Sequence, residues 1–201
     1  MRLLVTTASP YARKARAAVI ELGLEDRVEI ERLPIRLPQQ AKPDVDAVNP
    51  LGKIPVLELD DGALIADSPV IVAYLDDLAG GRLIPPGQDK WRALTLEALA
   101  DGCMDAGLVL RMEQLKDEGR RDPAEVAAYT AKIERTLDRL EEEPRWLSGD
   151  FNVGHLALAC ALDWIVFRNL VPDPLGGRAR LAGWLDRVRE RPSLAATRPS
   201  M

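Results

Sequence analysis

The spacing of apolar residues changes once along this chain, at a stretch rich in glycine and proline, residues 79–87. Before it, short apolar runs of strand length alternate with segments of helical spacing, and after it the spacing is helical throughout. Strands and helices need different apolar periods, so the two parts cannot belong to one repeating architecture. The pattern predicts an α/β domain over residues 1–78, a linker over 79–87 and an all-α domain over 88–201.

The predicted elements of the first part follow the order β-α-β-(α)-β-β-α, which is the thioredoxin-like arrangement. A hairpin is predicted at Asp60-Asp61-Gly62, which separates two apolar runs. The predicted strands cover residues 2–6, 28–32, 56–59 and 63–65, and the predicted helices cover residues 11–22, 43–48, 68–78, 89–116, 123–142, 153–169 and 175–191.

Composition limits the function classes that this chain can serve. The 201 residues carry a formal net charge of −5, which argues against a general nucleic-acid binder because such a protein needs a basic face. No apolar run reaches the ~18 residues of a membrane span and no signal peptide is visible, so we expect a cytoplasmic protein without membrane contact. One histidine and scattered acids give no metal-ligand cluster. Cys103 and Cys160 lie in apolar helical patterns and are expected to be buried, reduced thiols.

The turn after the first strand, Ser9-Pro10-Tyr11, opens a helix with a hydroxyl and exposed backbone N–H groups. Such a helix start favours an anion. Ser9 and Ala12 stand where a thioredoxin has its two active-site cysteines, so dithiol chemistry is excluded at this position. Ser9 can instead donate a hydrogen bond to a ligand thiolate and lower the pKa of that thiol from about 8.5. The alternative is that Ser9 is only a helix cap.

The Ile54-Pro55 step lies between a loop and a predicted strand. Proline has no N–H for a strand ladder, and a cis peptide bond is one way to accommodate it. A cis bond beside the first helix would present the N–H and C=O of Ile54 to the backbone of a peptide ligand, like an added strand. The alternative is an ordinary trans proline at the start of a strand.

A second helix start, Asp67-Ser68-Pro69, has good capping residues and a proline at its first turn. The same geometry suits a ligand, because the free N–H groups, the Ser68 hydroxyl and the positive helix end can receive a carboxylate. Asp67 would then pair with an adjacent ammonium group. Lys53 could reach a second carboxylate of the ligand, or it could be a solvated loop lysine.

Together these segments resemble the cytosolic glutathione transferase family. Residues 49–57 resemble its N-P-x-G-x-[VI]-P-x-L segment, Asp67-Ser68 resembles its acidic-serine pair, and Ser9-Pro10-Tyr11 resembles the start of its serine-type classes. Residues 91–113 and 184–194 look like a small bacterial subgroup of the family. The resemblance spans nearly the whole chain.

The resemblance implies the glutathione transferase fold, with a thioredoxin-like N-terminal domain and an all-α C-terminal domain, and a homodimer that conjugates glutathione to small hydrophobic electrophiles in detoxification. Glutathione would be a co-substrate held by Lys53, Ile54, Pro55, Asp67 and Ser68, with Ser9 stabilising its thiolate. By analogy, the electrophile would lie between the first helix and the second domain, and the candidate residues are Tyr11, Met104, Leu108, Arg111, Met112 and Trp164.

Two other functions remain open from the sequence. Some members of this fold bind protein partners without catalysis, and others are specialised glutathione-dependent isomerases, dehalogenases or peroxidases. The sequence also departs from the family at Asn152-Val153-Gly154-His155, where the family has Ser/Thr-x-x-Asp. We expect Asn152 to be a helix cap and His155, the only histidine, to be a capping or core residue rather than a catalytic one.

Overall fold

The computed structural model describes residues 1–35, 40 and 43–199. The chain forms two compact units. Unit 1 comprises Met1–Pro86 together with Pro192–Met201, and unit 2 comprises Gly87–Arg191.

Unit 1 is built on a four-stranded sheet of β1 (Arg2–Val5), β2 (Glu29–Arg32), β3 (Val56–Glu58) and β4 (Leu64–Ile65), in the order β2-β1-β3-β4. β1 runs parallel to β2 and antiparallel to β3, and β3 runs antiparallel to β4. This is the thioredoxin-like sheet that the sequence predicts. The sheet contributes fully buried side chains to the core of the unit, namely Leu3, Val5, Val56 and Leu57.

The helices of unit 1 are α1 (Pro10–Glu21), the short α2 (Pro43–Asp46), α3 (Ser68–Leu78) and the short α8 (Pro192–Ala195). α1 packs against α3, and small buried alanines along α1 allow the close approach. After α3, the buried carboxylate of Asp76 accepts hydrogen bonds from the backbone N–H groups of Arg82, Leu83 and Ile84. The predicted linker is therefore an ordered segment tied to the end of α3.

α8 packs against α1, although the whole of unit 2 separates them in the sequence. The Arg13 guanidinium donates to the backbone carbonyl of Leu194, and the Ser193 hydroxyl donates to the Glu21 carboxylate. Leu194 is fully buried. The sequence pattern assigns residues 192–201 to the second domain, whereas contacts assign them to unit 1, because a four-residue helix has no periodicity to read.

Unit 2 contains α4 (Gln88–Leu115), α5 (Pro123–Glu142), α6 (Val153–Arg168) and α7 (Ala179–Val188), with 3-10 turns at Glu118–Arg120 and Pro144–Leu147. α6 is buried at every residue from Val153 to Ile165 and forms the centre of the unit. α4 and α6 run in the same direction, because Gly154 meets the start of α4 at Ala93 and Trp164 meets Gly107 further along it.

The helix bounds agree closely with the sequence predictions for α3 and α5, and α7 begins four residues later than predicted. Part of the proline-rich loop before residue 43 lies outside the described residues. The short helix predicted over residues 43–48 is present as α2, which ends at Asp46.

Candidate functional site

The sheet register brings the three sequence motifs of unit 1 to one end of the sheet. Leu4 of β1 pairs with Val56 of β3, so the turn that follows β1 lies beside the residues that precede β3. Leu57 pairs with Ile65, so the chain leaving β4 arrives at the same end. The Ser9 turn, the Ile54-Pro55 step and the Asp67-Ser68 helix start are therefore neighbours because of topology.

Ser9 is the N-cap of α1 and is partly exposed. Its Oγ accepts a hydrogen bond from the Ala12 N–H at 3.2 Å, while its own backbone carbonyl accepts from the Arg13 N–H at 3.0 Å. A hydroxyl that accepts one hydrogen bond keeps its O–H free to donate. Capping of α1 by Ser9 is therefore compatible with donation to a ligand.

The loop before β3 is held by Asn49, which is nearly buried. Its Nδ2 donates to the Lys53 carbonyl at 2.8 Å, and its Oδ1 accepts from the Leu51 N–H at 3.0 Å. Gly52 has φ +59°, and a Cβ there would stand 2.7 Å from a carboxylate oxygen of Asp46, so the loop requires glycine at this position. These contacts fix the backbone directly before Ile54, while the Lys53 side chain is exposed.

The Ile54–Pro55 peptide bond is cis, as one interpretation of the sequence predicts. Pro55 is buried and Ile54 is partly exposed. Within the described part of the chain, the backbone N–H and C=O of Ile54 make no hydrogen bond. Pairing of these two groups with the backbone of a peptide ligand stays a prediction.

Asp67 is the N-cap of α3 and accepts a hydrogen bond from the Ser68 backbone N–H. The Ala66–Asp67 peptide bond is also cis, which the sequence does not indicate. Ser68 is 0% exposed, and its Oγ has no hydrogen-bond partner among the described residues. A buried hydroxyl without a partner is unusual and calls for an explanation.

The remaining candidates differ in exposure. Tyr11, in the first turn of α1, is partly exposed. On α4, Leu108 is exposed, Arg111 and Met112 are half-buried, and Met104 is fully buried. Trp164 on α6 is 4% exposed and packs over Gly107, and its indole N–H has no partner among the described residues. Met104 and Trp164 are thus less accessible than the other candidates of unit 2.

His155 is a core residue, as the sequence predicts. Asn152 caps α6 through hydrogen bonds from the N–H groups of Gly154 and His155. The buried imidazole of His155 lies 3.1 Å from the Trp146 carbonyl and stacks obliquely on Phe151 and Trp184. Burial lowers the pKa of His155 below its ordinary 6.5.

Asn49 belongs to the motif over residues 49–57, but the sequence analysis predicts no role for it. In the structure, its side chain holds the loop before Ile54 through two hydrogen bonds. Across residues 1–35, 40 and 43–199, no cluster of three metal-ligating side chains is present. The helices in that part of the chain are too short or too polar to cross a membrane.

Comparisons with family models, with curated proteins and with solved structures all identify the same family. The family model for the glutathione S-transferase N-terminal domain matches residues 8–78, and the model for the C-terminal domain of the same family matches residues 123–187. The uncharacterized GST-like protein YibF of Escherichia coli K12 is 33% identical over 204 residues, which cover 99% of this chain and 98% of YibF.

Two solved structures of a glutathione transferase family member from Pseudomonas fluorescens Pf-5 are also similar. The structure with bound glutathione has a TM-score of 0.94 and 37% identity, and covers 100% of this chain and 99% of the other. The structure with bound S-(propanoic acid)-glutathione has a TM-score of 0.87 and 38% identity, with 100% of both chains covered.

Proposed function

This chain belongs to the glutathione S-transferase family, and from that premise we propose that it transfers the glutathione thiolate to small hydrophobic electrophiles. Glutathione binds in unit 1 in this proposal, along Ile54-Pro55, with Asp67 and Ser68 at its γ-glutamyl end. The similar glutathione transferase family member from Pseudomonas fluorescens Pf-5 has been solved with bound glutathione and with bound S-(propanoic acid)-glutathione, which supports both the co-substrate and the reaction class.

The observation that carries the proposal is the Ser68 hydroxyl, which is buried at the N-terminus of α3 and has no hydrogen-bond partner in the part of the chain that the structure describes. A carboxylate at this position would accept from the hydroxyl and from the Val70 N–H, because the Ser68 N–H already donates to Asp67 and Pro69 has no N–H. It would also face the positive end of the helix dipole. Asp67, exposed beside it, is available to the ammonium group on the same carbon. A γ-glutamyl group carries both charges in that arrangement.

Ser9 is the proposed catalytic residue, because its O–H is free to donate to the glutathione sulfur. Donation to the thiolate, together with the start of α1, would lower the thiol pKa. Each pKa unit corresponds to about 1.4 kcal/mol, or about tenfold more thiolate when little is ionised. The thiolate then attacks an electrophilic carbon, and the protein supplies proximity and electrostatic stabilisation.

The electrophile in this proposal is held by side chains of unit 2, and Tyr11 stays a prediction from the sequence. Leu108, Arg111 and Met112 are the accessible candidates on α4, whereas Met104 and Trp164 are buried. We further propose that the protein is a homodimer, that it acts in the cytoplasm, and that its role is detoxification.

The test is calorimetric titration of the protein with glutathione, comparing the wild type with Ser68→Ala. We expect binding by the wild type and at least about tenfold weaker binding by the variant, since a hydrogen bond to a charged group contributes about 1.5–3 kcal/mol. The unliganded variant should melt at the same temperature or higher, because the mutation removes an unsatisfied buried hydroxyl.

Ser148→Ala is the matched control, because the Ser148 hydroxyl is exposed in unit 2 and donates to the Arg145 carbonyl. Absence of wild-type binding at several millimolar glutathione would refute the proposed function. If Ser68→Ala binds glutathione as tightly as the wild type, only the role proposed for Ser68 is refuted.

A further inference from the structure

Two arginines of unit 2 lie close together at the ends of α4 and α6. Arg111 Nη1 donates to the Gln114 side chain at 3.2 Å, and Gln114 Nε2 donates to the Asn169 carbonyl at 2.8 Å. Asn169 is the C-cap of α6 and directly follows Arg168. The parallel course of α4 and α6 therefore brings two guanidinium groups together that are far apart in the sequence.

Neither guanidinium has a carboxylate partner among residues 1–35, 40 and 43–199. Both side chains are half-buried. Burial and the positive charge of Arg111 both lower the pKa of Arg168. Two positive charges that are partly removed from water repel each other, and an anion bound between them would offset that repulsion.

The surroundings of the pair are apolar and accessible. Leu108 lies one turn before Arg111 on the same face of α4 and is 39% exposed. The Arg168 guanidinium lies 4.9 Å from the centre of the Phe167 ring, and Phe167 is 37% exposed. A ligand that suits this environment has an apolar or aromatic body and one oxyanion.

We propose that Arg111 and Arg168 together bind the oxyanion of an acidic electrophile, such as an aromatic carboxylate. This inference rests on the proposed function, because it assigns the substrate class of the second substrate. Guanidinium groups bind carboxylates through paired N–H donors, and two of them discriminate an acid from its neutral amide.

The reaction with a suitable probe is simple to balance. With 4-chloro-3,5-dinitrobenzoate, the glutathione thiolate attacks the ring carbon that carries chlorine. A C–S bond forms, the C–Cl bond breaks, and chloride leaves with the bonding electrons, while the proton of the thiol passes to solvent. The carboxylate takes no part in the bond changes, and its electronic effect on the ring is the same for every variant. A change in the acid preference between variants therefore reports binding and orientation.

The first experiment measures binding without catalysis. 3,5-Dinitrobenzoate and 3,5-dinitrobenzamide have no leaving group and are titrated separately by ligand-observed NMR. We expect the wild type to prefer the acid, and we expect Arg111→Gln and Arg168→Gln each to reduce that preference about tenfold. Arg135→Gln is the control, because Arg135 is an exposed arginine on α5 and its removal changes the net charge equally.

The second experiment measures the ratio of kcat/KM for 4-chloro-3,5-dinitrobenzoate to that for its amide. The ratio should fall about tenfold in each glutamine variant, and lysine at either position should restore part of it. Equal binding of acid and amide by the wild type, or an unchanged preference in both variants, would overturn the inference.

A purely structural role gives a different result. If the arginines only complement the negative ends of α4 and α6, the glutamine variants lose melting temperature while the acid preference stays constant, and the inference fails. Acid-selective binding that depends on both arginines supports the site even without conjugation activity. In that case the proposed function fails instead.

Discussion

Gly154 allows α6 to approach α4 at a distance that no other residue permits. An added Cβ would stand 2.5 Å from the Ala93 carbonyl oxygen and 2.7 Å from Leu96 Cβ. Neither atom can rotate away, since one is backbone and the other is fixed to it. Alanine at this position must therefore push the two helices apart.

The size of the effect follows from two opposing contributions. Alanine raises helix propensity over glycine by at most about 1 kcal/mol. Overpacking a close contact costs about 1–3 kcal/mol, and a clash with backbone belongs at the upper end. We expect Gly154→Ala to lower the free energy of unfolding by about 1–2 kcal/mol despite its better propensity.

Gly102 provides the matched control, because it lies within α4 and an added Cβ would meet nothing within 4 Å. Gly102→Ala should stabilise the protein by about 0.5–1 kcal/mol. The variants should therefore differ by about 1.5–3 kcal/mol, which corresponds to roughly 3–12 °C in melting temperature for a chain of this size.

Urea unfolding at constant pH measures both variants, with a fixed m-value as the sign that the folded and unfolded states are otherwise unchanged. If Gly154→Ala is as stable as Gly102→Ala, the close helix contact does not constrain the protein and the reasoning is refuted.

Three further predictions concern single residues of unit 1 and unit 2. Ser9→Ala should lower kcat/KM for conjugation about 10–100-fold and move the pH–rate profile to higher pH, with glutathione affinity little changed; an unaltered profile would leave Ser9 as a cap only. Asn49→Ala should loosen the loop before Ile54 and weaken glutathione binding in calorimetry several-fold, and equal affinity would show that the loop holds without it. Burial lowers the pKa of His155 in the folded state, so near and below pH 6.5 the unfolded state binds more protons than the folded state. The free energy of unfolding should therefore be constant with respect to this group above pH 6.5 and should decrease as the pH falls below it. Urea unfolding of His155→Gln should show a smaller decrease.

Sequence reasoning succeeded where a local signal decides the structure. The Asp67-Ser68-Pro69 signal predicts a helix start through capping and the fixed φ of proline, and α3 begins there. The apolar spacing predicts a helix over residues 123–142, and α5 has these bounds. The Ile54-Pro55 motif likewise indicated its unusual backbone. The resemblance of residues 49–57, Asp67-Ser68 and Ser9-Pro10-Tyr11 to the glutathione transferase family predicts both the family and its fold, and both are confirmed.

Features that depend on tertiary packing could not be predicted from the sequence. The burial of the Ser68 hydroxyl depends on how α3 packs, and the proximity of Arg111 and Arg168 depends on the parallel course of α4 and α6. α7 begins at Ala179, where the Glu141 carboxylate of α5 accepts hydrogen bonds from the N–H groups of Arg180 and Leu181. The sequence near residue 179 does not indicate this contact, because the carboxylate that accepts the hydrogen bonds belongs to a different helix.

The return of α8 to α1 has a consequence for synthesis of the protein. Residues 1–86 leave the ribosome first, and all of unit 2 follows before Pro192 emerges. Until then Arg13 lacks the Leu194 carbonyl and Glu21 lacks the Ser193 hydroxyl, so the α1 surface meant for α8 stays open while the helical unit folds. Unit 1, which carries Ser9 and Ser68, is thus synthesised in large part before unit 2 but gains its α8 contacts only after unit 2.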